Sequence, residues 1–193
     1  MKTSNVVVIG SINMDLVAKT SRFPRPGETM AGESFYTSYG GKGANQAVTL
    51  ARLGAPASFI GCVGADAFGE EMVDHLRQEG VDTGHVRVAE NYSSGTALII
   101  VDSEGRNQII VIRGANDLLR PEDIDAAGDL IPASRMVVIQ LEIPLETVSH
   151  AVSRAYECGV PVLLNPAPAP AGPLDAEILK KVSILAPNEI EAE

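Results

Sequence analysis

Five short apolar runs recur along the chain, at Val6 to Ile9, Phe59 to Val63, Met136 to Leu141, Val160 to Leu164 and Val182 to Ala186. They are continuous rather than alternating, and the first is aliphatic and β-branched throughout. Each therefore reads as a strand buried on both faces, as in a parallel sheet covered by helices on either side. The segments between them supply the helices. From Ala44, apolar residues at Ala47, Val48, Ala51 and Leu53 follow a helical period, and Gly54 is suited to end it. A second helix is expected from an Asp66 cap to Gly80, a third after Pro121 and a fourth from Pro144 to Gly159. Alternating strands and helices predict right-handed βαβ units. The expected fold is α/β and Rossmann-like, with a mostly parallel sheet and helices on both faces.

Two stretches break this rhythm. Residues 12–41 alternate polar and apolar positions around Pro24-Arg25-Pro26-Gly27. Residues 94–113 read as a hairpin, Thr96 to Val101 and Gln108 to Ile112, about Ser103-Glu104-Gly105. Both are expected to lie outside the main sheet as a small antiparallel β lid over its carboxyl edge, where open α/β folds bind ligands. The expected division is a core of about 1–11, 42–91 and 115–193, and a lid of about 12–41 and 92–114. A chain of 193 residues is long enough for one sizeable core.

A net charge of −10 argues against nucleic acid as a partner, since that affinity rests on clustered Lys and Arg. Cys62 and Cys158 have no CxxC spacing and read as reduced thiols. No stretch approaches the roughly 18 apolar residues of a membrane span. The Val6 to Ile9 run is broken at once by Gly10, too early for a signal segment. No membrane partner is expected, and the expected location is the cytoplasm.

Neither a GxxxxGK[ST] loop nor a GxGxxG turn between strand and helix is present. Gly43 stands after Lys42 where a P-loop needs Ser or Thr. Instead, Gly40-Gly41-Lys42-Gly43-Ala44-Asn45-Gln46-Ala47 enters a helix. Glycines allow close backbone approach, a helix start offers N–H groups, and Lys42 and Asn45 add donors for hydroxyl or phosphate oxygens. A tight turn with a solvated lysine fits the local pattern equally well. Asn13 and Asp15 point the same way from an extended chain and could bracket adjacent hydroxyls, or form an exposed polar pair. Glu142 ends an apolar run at the sheet's carboxyl edge, either in a site or as a helix-capping acid. Asn188 and Glu191, three apart, could hold hydrated Mg²⁺ and nucleotide phosphate, or cap a helix.

Taken together, Gly10-Ser11-Ile12-Asn13-Met14-Asp15, the Gly40 to Ala47 run, Gln140-Leu141-Glu142, Asn165-Pro166-Ala167-Pro168-Ala169 and Asn188-Glu189-Ile190-Glu191 resemble the PfkB carbohydrate-kinase family in order and spacing, over the whole chain. The resemblance implies a ribokinase-like fold and phosphorylation of D-ribose at its 5-hydroxyl with ATP and Mg²⁺. It implies that Asn13, Asp15, Gly41, Lys42, Gly43, Ala44, Asn45 and Glu142 hold the sugar and that Asn188 touches ATP. Glu191 would then act on Mg²⁺ through water. It also implies a lid that closes on sugar and pairs with a second copy in a homodimer. The family's glycine-alanine-glycine-aspartate motif brings the catalytic base, the anion hole, most of the adenine pocket and a K⁺ site. It does not occur in residues 1–193, so the base is expected beyond Glu193 and this chain is expected to be incomplete for catalysis. Two alternatives stand beside this: another PfkB kinase for deoxyribose or a nucleoside, and a non-catalytic sugar-binding or regulatory module.

Overall fold

A computed structural model describes residues 5–170 and 172–192. In chain order the elements are β1 (Val6–Ile9), β2 (Asn13–Lys19), β3 (Ser34–Gly40), α1 (Lys42–Arg52), β4 (Ala57–Gly64), α2 (Ala67–Gln78), β5 (Asp82–Ala89), β6 (Gly95–Val101), β7 (Asn107–Ile112), a 3-10 turn over Gly114–Leu118, α3 (Pro121–Ala126), α4 (Leu130–Ala133), β8 (Met136–Gln140), α5 (Leu145–Glu157), β9 (Val162–Asn165), α6 (Ala176–Leu179) and β10 (Ile184–Leu185). Among these residues no helix is long and apolar enough to cross a membrane.

Six strands form one sheet in the order β10-β9-β8-β1-β4-β5, and every pairing in it is parallel. The continuous apolar character of β1 follows from its central position. Val7 and Ile9 pack with Ile124, Val148 and Val152 from α3 and α5 on one face. Val6 and Val8 pack with Ala44, Ala47, Met72 and Leu76 from α1 and α2 on the other. Each such side chain gains roughly 1.5–3 kcal/mol from burial, so a polar residue anywhere in β1 would be costly.

Four strands form a second sheet, β3-β2-β6-β7. Its outer pairs are antiparallel as expected, but the two hairpins join through a parallel pairing of β2 with β6. The expected wholly antiparallel lid is corrected on this point. The reason is directional: β2 follows β1 and β6 follows β5, so both leave the carboxyl edge of a parallel sheet heading the same way. Tyr39 at the end of β3 anchors this sheet to α2, its ring stacked on His75 at 3.8 Å and its hydroxyl donating to Glu71 at 3.0 Å.

The five expected strands are present with shifted ends, and the last contracts to Ile184–Leu185, both exposed. Strand β5 carries no signal in the sequence. As an edge strand carrying Asp82, His85 and Arg87 it has no apolar run to betray it. Helix α1 begins at Lys42 rather than Ala44, because Gly41 at φ 87° turns the chain sharply into it. Asp66 caps α2 as expected, accepting from the Gly69 amide at 2.8 Å. Asn188 to Ala192 form a turn rather than the helix considered for the Asn188/Glu191 pair.

Candidate functional site

Strand β1 has β4 on one side and β8 on the other, so chain connections diverge at its carboxyl end and leave a crevice there. The residues after Ile9 and after Gln140 enter this crevice, and α1 starts beside it. The approach is close. A Cβ on Gly43 would lie 2.8 Å from the backbone of Gly10, and one on Gly10 would lie 1.9 Å from the Gln140 side-chain oxygen. Glycine at both positions lets the start of α1 touch the end of β1.

That contact brings Glu142 to the N-terminus of α1. Its Oε2 accepts from the Ser11 hydroxyl at 2.5 Å and from the Lys42 amide at 3.1 Å. The Gly43 amide reaches Ser11 Oγ at 3.4 Å, and the Ala44 amide donates to the Ser11 carbonyl at 2.9 Å. The amides of Lys42, Gly43 and Ala44, expected from sequence to be free for a ligand, are thus occupied within the chain. The carboxylate sits where the helix dipole favours a negative charge. What remains for a ligand is the Lys42 side chain and the outer side of Glu142.

Asn13 and Asp15 project from β2 on one face, as the two-residue period requires. Asn13 is buried, and its Oδ1 accepts from Asn116 Nδ2 at 2.8 Å. Asp15 is half-buried and lies over Gly40, where a Cβ would come within 2.5 Å of both carboxylate oxygens. Burial pushes the Asp15 carboxyl above its ordinary value, and the nearby charge of Glu142 adds to that shift. Two carboxylates therefore share this end of the crevice, poised to accept hydrogen bonds from hydroxyl groups.

A cavity of about 360 Å³ opens between the two sheets, lined by Ser11, Asn13, Lys42, Val111, Arg113, Asn116, Glu142 and Pro168. Its size falls within the roughly 300–1,000 Å³ of small-molecule sites. A larger cavity of about 540 Å³ runs along α2 and β5. There the Asp66 carboxylate is committed to Gly69 and Ser94, and Asp74 pairs with Arg77 at 2.8 Å. Its walls offer no comparable set of converging groups, so the smaller cavity is the stronger candidate.

Of the residues expected at a shared site, Asn13, Lys42 and Glu142 line this cavity, and Asp15 is close enough to feel the charge of Glu142. Gly41, Gly43 and Ala44 shape the turn beneath it. Asn45 is exposed and lines a neighbouring cavity of about 260 Å³ with Ser38, Tyr39, Arg52 and His75. Ser38 is the register partner of Asp15 across β2 and β3. Asn188 and Glu191 lie apart from both. The Glu191 carboxylate accepts from the Asn188 amide at 2.9 Å and from its side chain at 3.0 Å, while the Glu191 amide returns a bond of 2.8 Å to Asn188 Oδ1. This reciprocal turn spends much of the carboxylate. Among the described residues no group of three or more His, Cys, Asp or Glu could hold a metal ion.

Ser11, Arg113 and Asn116 were not anticipated as cavity residues. Ser11 lies in a run the sequence had already singled out, but its partner Glu142 is 131 residues away. Arg113 donates to the Leu141 carbonyl at 3.2 Å and pairs with Asp117 at 3.1 Å. The segment Gly114-Ala115-Asn116 carries only a glycine as a signal, and that reads as a turn.

Residues 3–193 match the pfkB family carbohydrate kinase pattern. The ribokinase of Schizosaccharomyces pombe is 46% identical over 97% of this chain and 60% of its own length. The deoxyribokinase of Salmonella typhi is 41% identical over 98% of this chain and 61% of its own. The structure of Arabidopsis thaliana ribokinase complexed with ribose and ATP superposes with a TM-score of 0.86 at 33% identity, covering 99% of this chain and 62% of that one. The chain thus spans about 60% of the length of the curated relatives it matches.

Proposed function

The chain belongs to the pfkB family of carbohydrate kinases, and from that premise we propose that it forms the sugar-binding part of a kinase that phosphorylates D-ribose at its 5-hydroxyl with ATP. The observation that carries this reading is a cavity beneath the second sheet lined by Asn13, Lys42 and Glu142, with the Asp15 carboxylate near enough to Glu142 to feel its charge. A pentose offers several adjacent hydroxyls, each both donor and acceptor. Carboxylates take the protons of such groups, in charge-assisted bonds of about 1.5–3 kcal/mol each, while amide and ammonium groups meet their lone pairs. Gly41, Gly43 and Ala44 contribute backbone that lets the sugar approach closely, and Asn45 would meet it from the start of α1.

In this reading ATP supplies the transferred phosphoryl group, with Mg²⁺ and a K⁺ ion as further requirements of the complete enzyme. Asn188 is the nucleotide contact on this chain, and Glu191 is left an outer role toward Mg²⁺ through water. The cavity residues bind and orient the sugar and exclude water from it. Catalysis of phosphoryl transfer rests mainly on such positioning and on charge stabilisation. The base that takes the 5-hydroxyl proton is assigned to a segment following residue 193. The second sheet acts as a lid, and its exposed Tyr36, Ile109 and Val111 on one face and Phe35, Leu98 and Ile110 on the other suit contact with a second copy. A cytoplasmic location belongs to the same reading, through the need for ATP and the free cysteines.

The test is ribose-dependent ADP release by the full-length gene product, with phosphorus NMR of the product. Formation of ribose 5-phosphate is expected, and turnover confined to a nucleoside or a hexose would replace the substrate assignment. A second reading, deoxyribose as the substrate, is favoured by the 41% identity to a deoxyribokinase.

A further inference from the structure

We propose that Asn116 is a positioning residue that fixes the Asn13 side chain as a hydrogen-bond donor toward the cavity, so that the site presents one donor of set orientation alongside the carboxylates of Asp15 and Glu142. The proposal rests on the pentose-binding reading of that cavity.

Backbone groups have a polarity that is not open to choice. The Ile12 N–H can only donate, and its partner is Asn116 Oδ1 at 3.0 Å. The opposite end of that amide must then be Nδ2, whose two protons are shared among three acceptors, including the carbonyls of Ile12 at 3.2 Å and Arg113 at 3.0 Å. Carbonyls accept only, so they confirm the orientation independently. The same Nδ2 lies 2.8 Å from the Asn13 side chain. A donor there demands an acceptor, which commits Asn13 Oδ1 to Asn116 and leaves the Asn13 NH₂ as the end facing the cavity that Asn13 lines.

Both amides are buried, at 2% and 5% exposure, so neither can turn over without orphaning polar groups away from water. The space around them is also reserved. Gly95 on β6 is the register partner of Asn13, and a Cβ there would lie 2.1 Å from Asn116 Nδ2 and 2.2 Å from Asn13 Oδ1. A glycine at this position admits the amide pair, and any larger residue would displace it.

A positioning role differs from a structural one in acting only through Asn13, and a double-mutant cycle reads that difference. In the full-length gene product, ADP release is measured against D-ribose and against ATP for the wild type, Asn13→Ala, Asn116→Ala and the double variant, with melting temperatures alongside. Each single change is expected to raise the ribose KM by roughly tenfold, the loss of about one oriented hydrogen bond. The ATP KM should hold, and the double variant should be no worse than Asn13→Ala. Gly95→Ala, which keeps both amides but crowds them apart, should reproduce Asn116→Ala. If Asn116→Ala does not fold, Asn116→Ser takes its place, retaining an acceptor for Ile12 but too short to reach Asn13. Losses that multiply in the double variant, or an unchanged ribose KM in a folded Asn116 variant, overturn the proposal while leaving the substrate assignment intact. A wild type that turns over no pentose overturns both.

Discussion

The Glu142 carboxylate accepts the backbone amide of Lys42 at 3.1 Å, one hundred residues away in sequence, and so joins the loop after β8 to the first turn of α1. Glu142→Gln keeps the shape and an acceptor but loses the charge. Helix α1 then forfeits about 0.3–1 kcal/mol of dipole interaction. Asp15 gains from the removal of a like charge nearby. Stability is expected to change little, while ribose kcat/KM falls by about ten- to a hundredfold from the weakened charge-assisted bond. Denaturant melts and steady-state kinetics on the one variant check both halves. A large stability loss with unchanged kinetics would make Glu142 a structural cap alone.

The Asp15 carboxyl, raised above its ordinary 3.8 by burial and then by Glu142, holds its proton more tightly in the folded than in the unfolded chain. By linkage, its contribution to stability is greatest below pH 3.8 and is lost as the pH rises to the folded value. At neutral pH the ionised group therefore strains the fold. Asp15→Asn should unfold at a higher denaturant concentration than the wild type at pH 7, with the advantage shrinking towards pH 4, and should phosphorylate ribose poorly. Paired urea titrations across that range decide the point, and a variant less stable at pH 7 would contradict it.

The crossing of Gly10 and Gly43 is a backbone contact with no room for a methyl group. Gly43→Ala places a Cβ 2.8 Å from Gly10 and Ser11 backbone atoms, and neither can retreat without separating α1 from β1. A cost of about 1–3 kcal/mol or more is expected, together with weaker sugar use as Lys42 and Glu142 move apart. Gly54→Ala is the control for φ alone, since Gly54 has a positive φ of 81° but nothing within 4 Å of the place its methyl group would take. It should cost stability without touching the ribose KM. Urea melts and ribose kinetics on the two variants separate the effects.

The core was legible because its strands are buried on both faces, so Val6 to Ile9 had to be apolar without interruption. The second sheet was legible because alternation and turn residues change together at Pro24 and Gly105. Strand β5 was not, since an edge strand tolerates the charges of Asp82 and Arg87. As candidates, Asn13, Asp15, Lys42 and Glu142 stand out in the sequence because each is a polar residue next to a strand end or helix start. Asn116 does not: its bonds to residues 12 and 13 cross more than a hundred residues and follow from where the chain returns from the second sheet to the first. Asn45 was assigned to the sugar by adjacency in the motif. One turn into α1, Asn45 lines a cavity with residues of β3 and α2.

The most direct measurement of the central claim is competition between D-ribose and 2-deoxy-D-ribose for the full-length gene product. A cavity in which carboxylates and oriented donors meet sugar hydroxyls leaves buried polar groups unpaired when one hydroxyl is missing. The predicted preference for ribose in kcat/KM is about 2–4 kcal/mol, on the order of thirtyfold or more. Equal specificity constants, or a preference for the deoxy sugar, would contradict the assignment of this site to ribose.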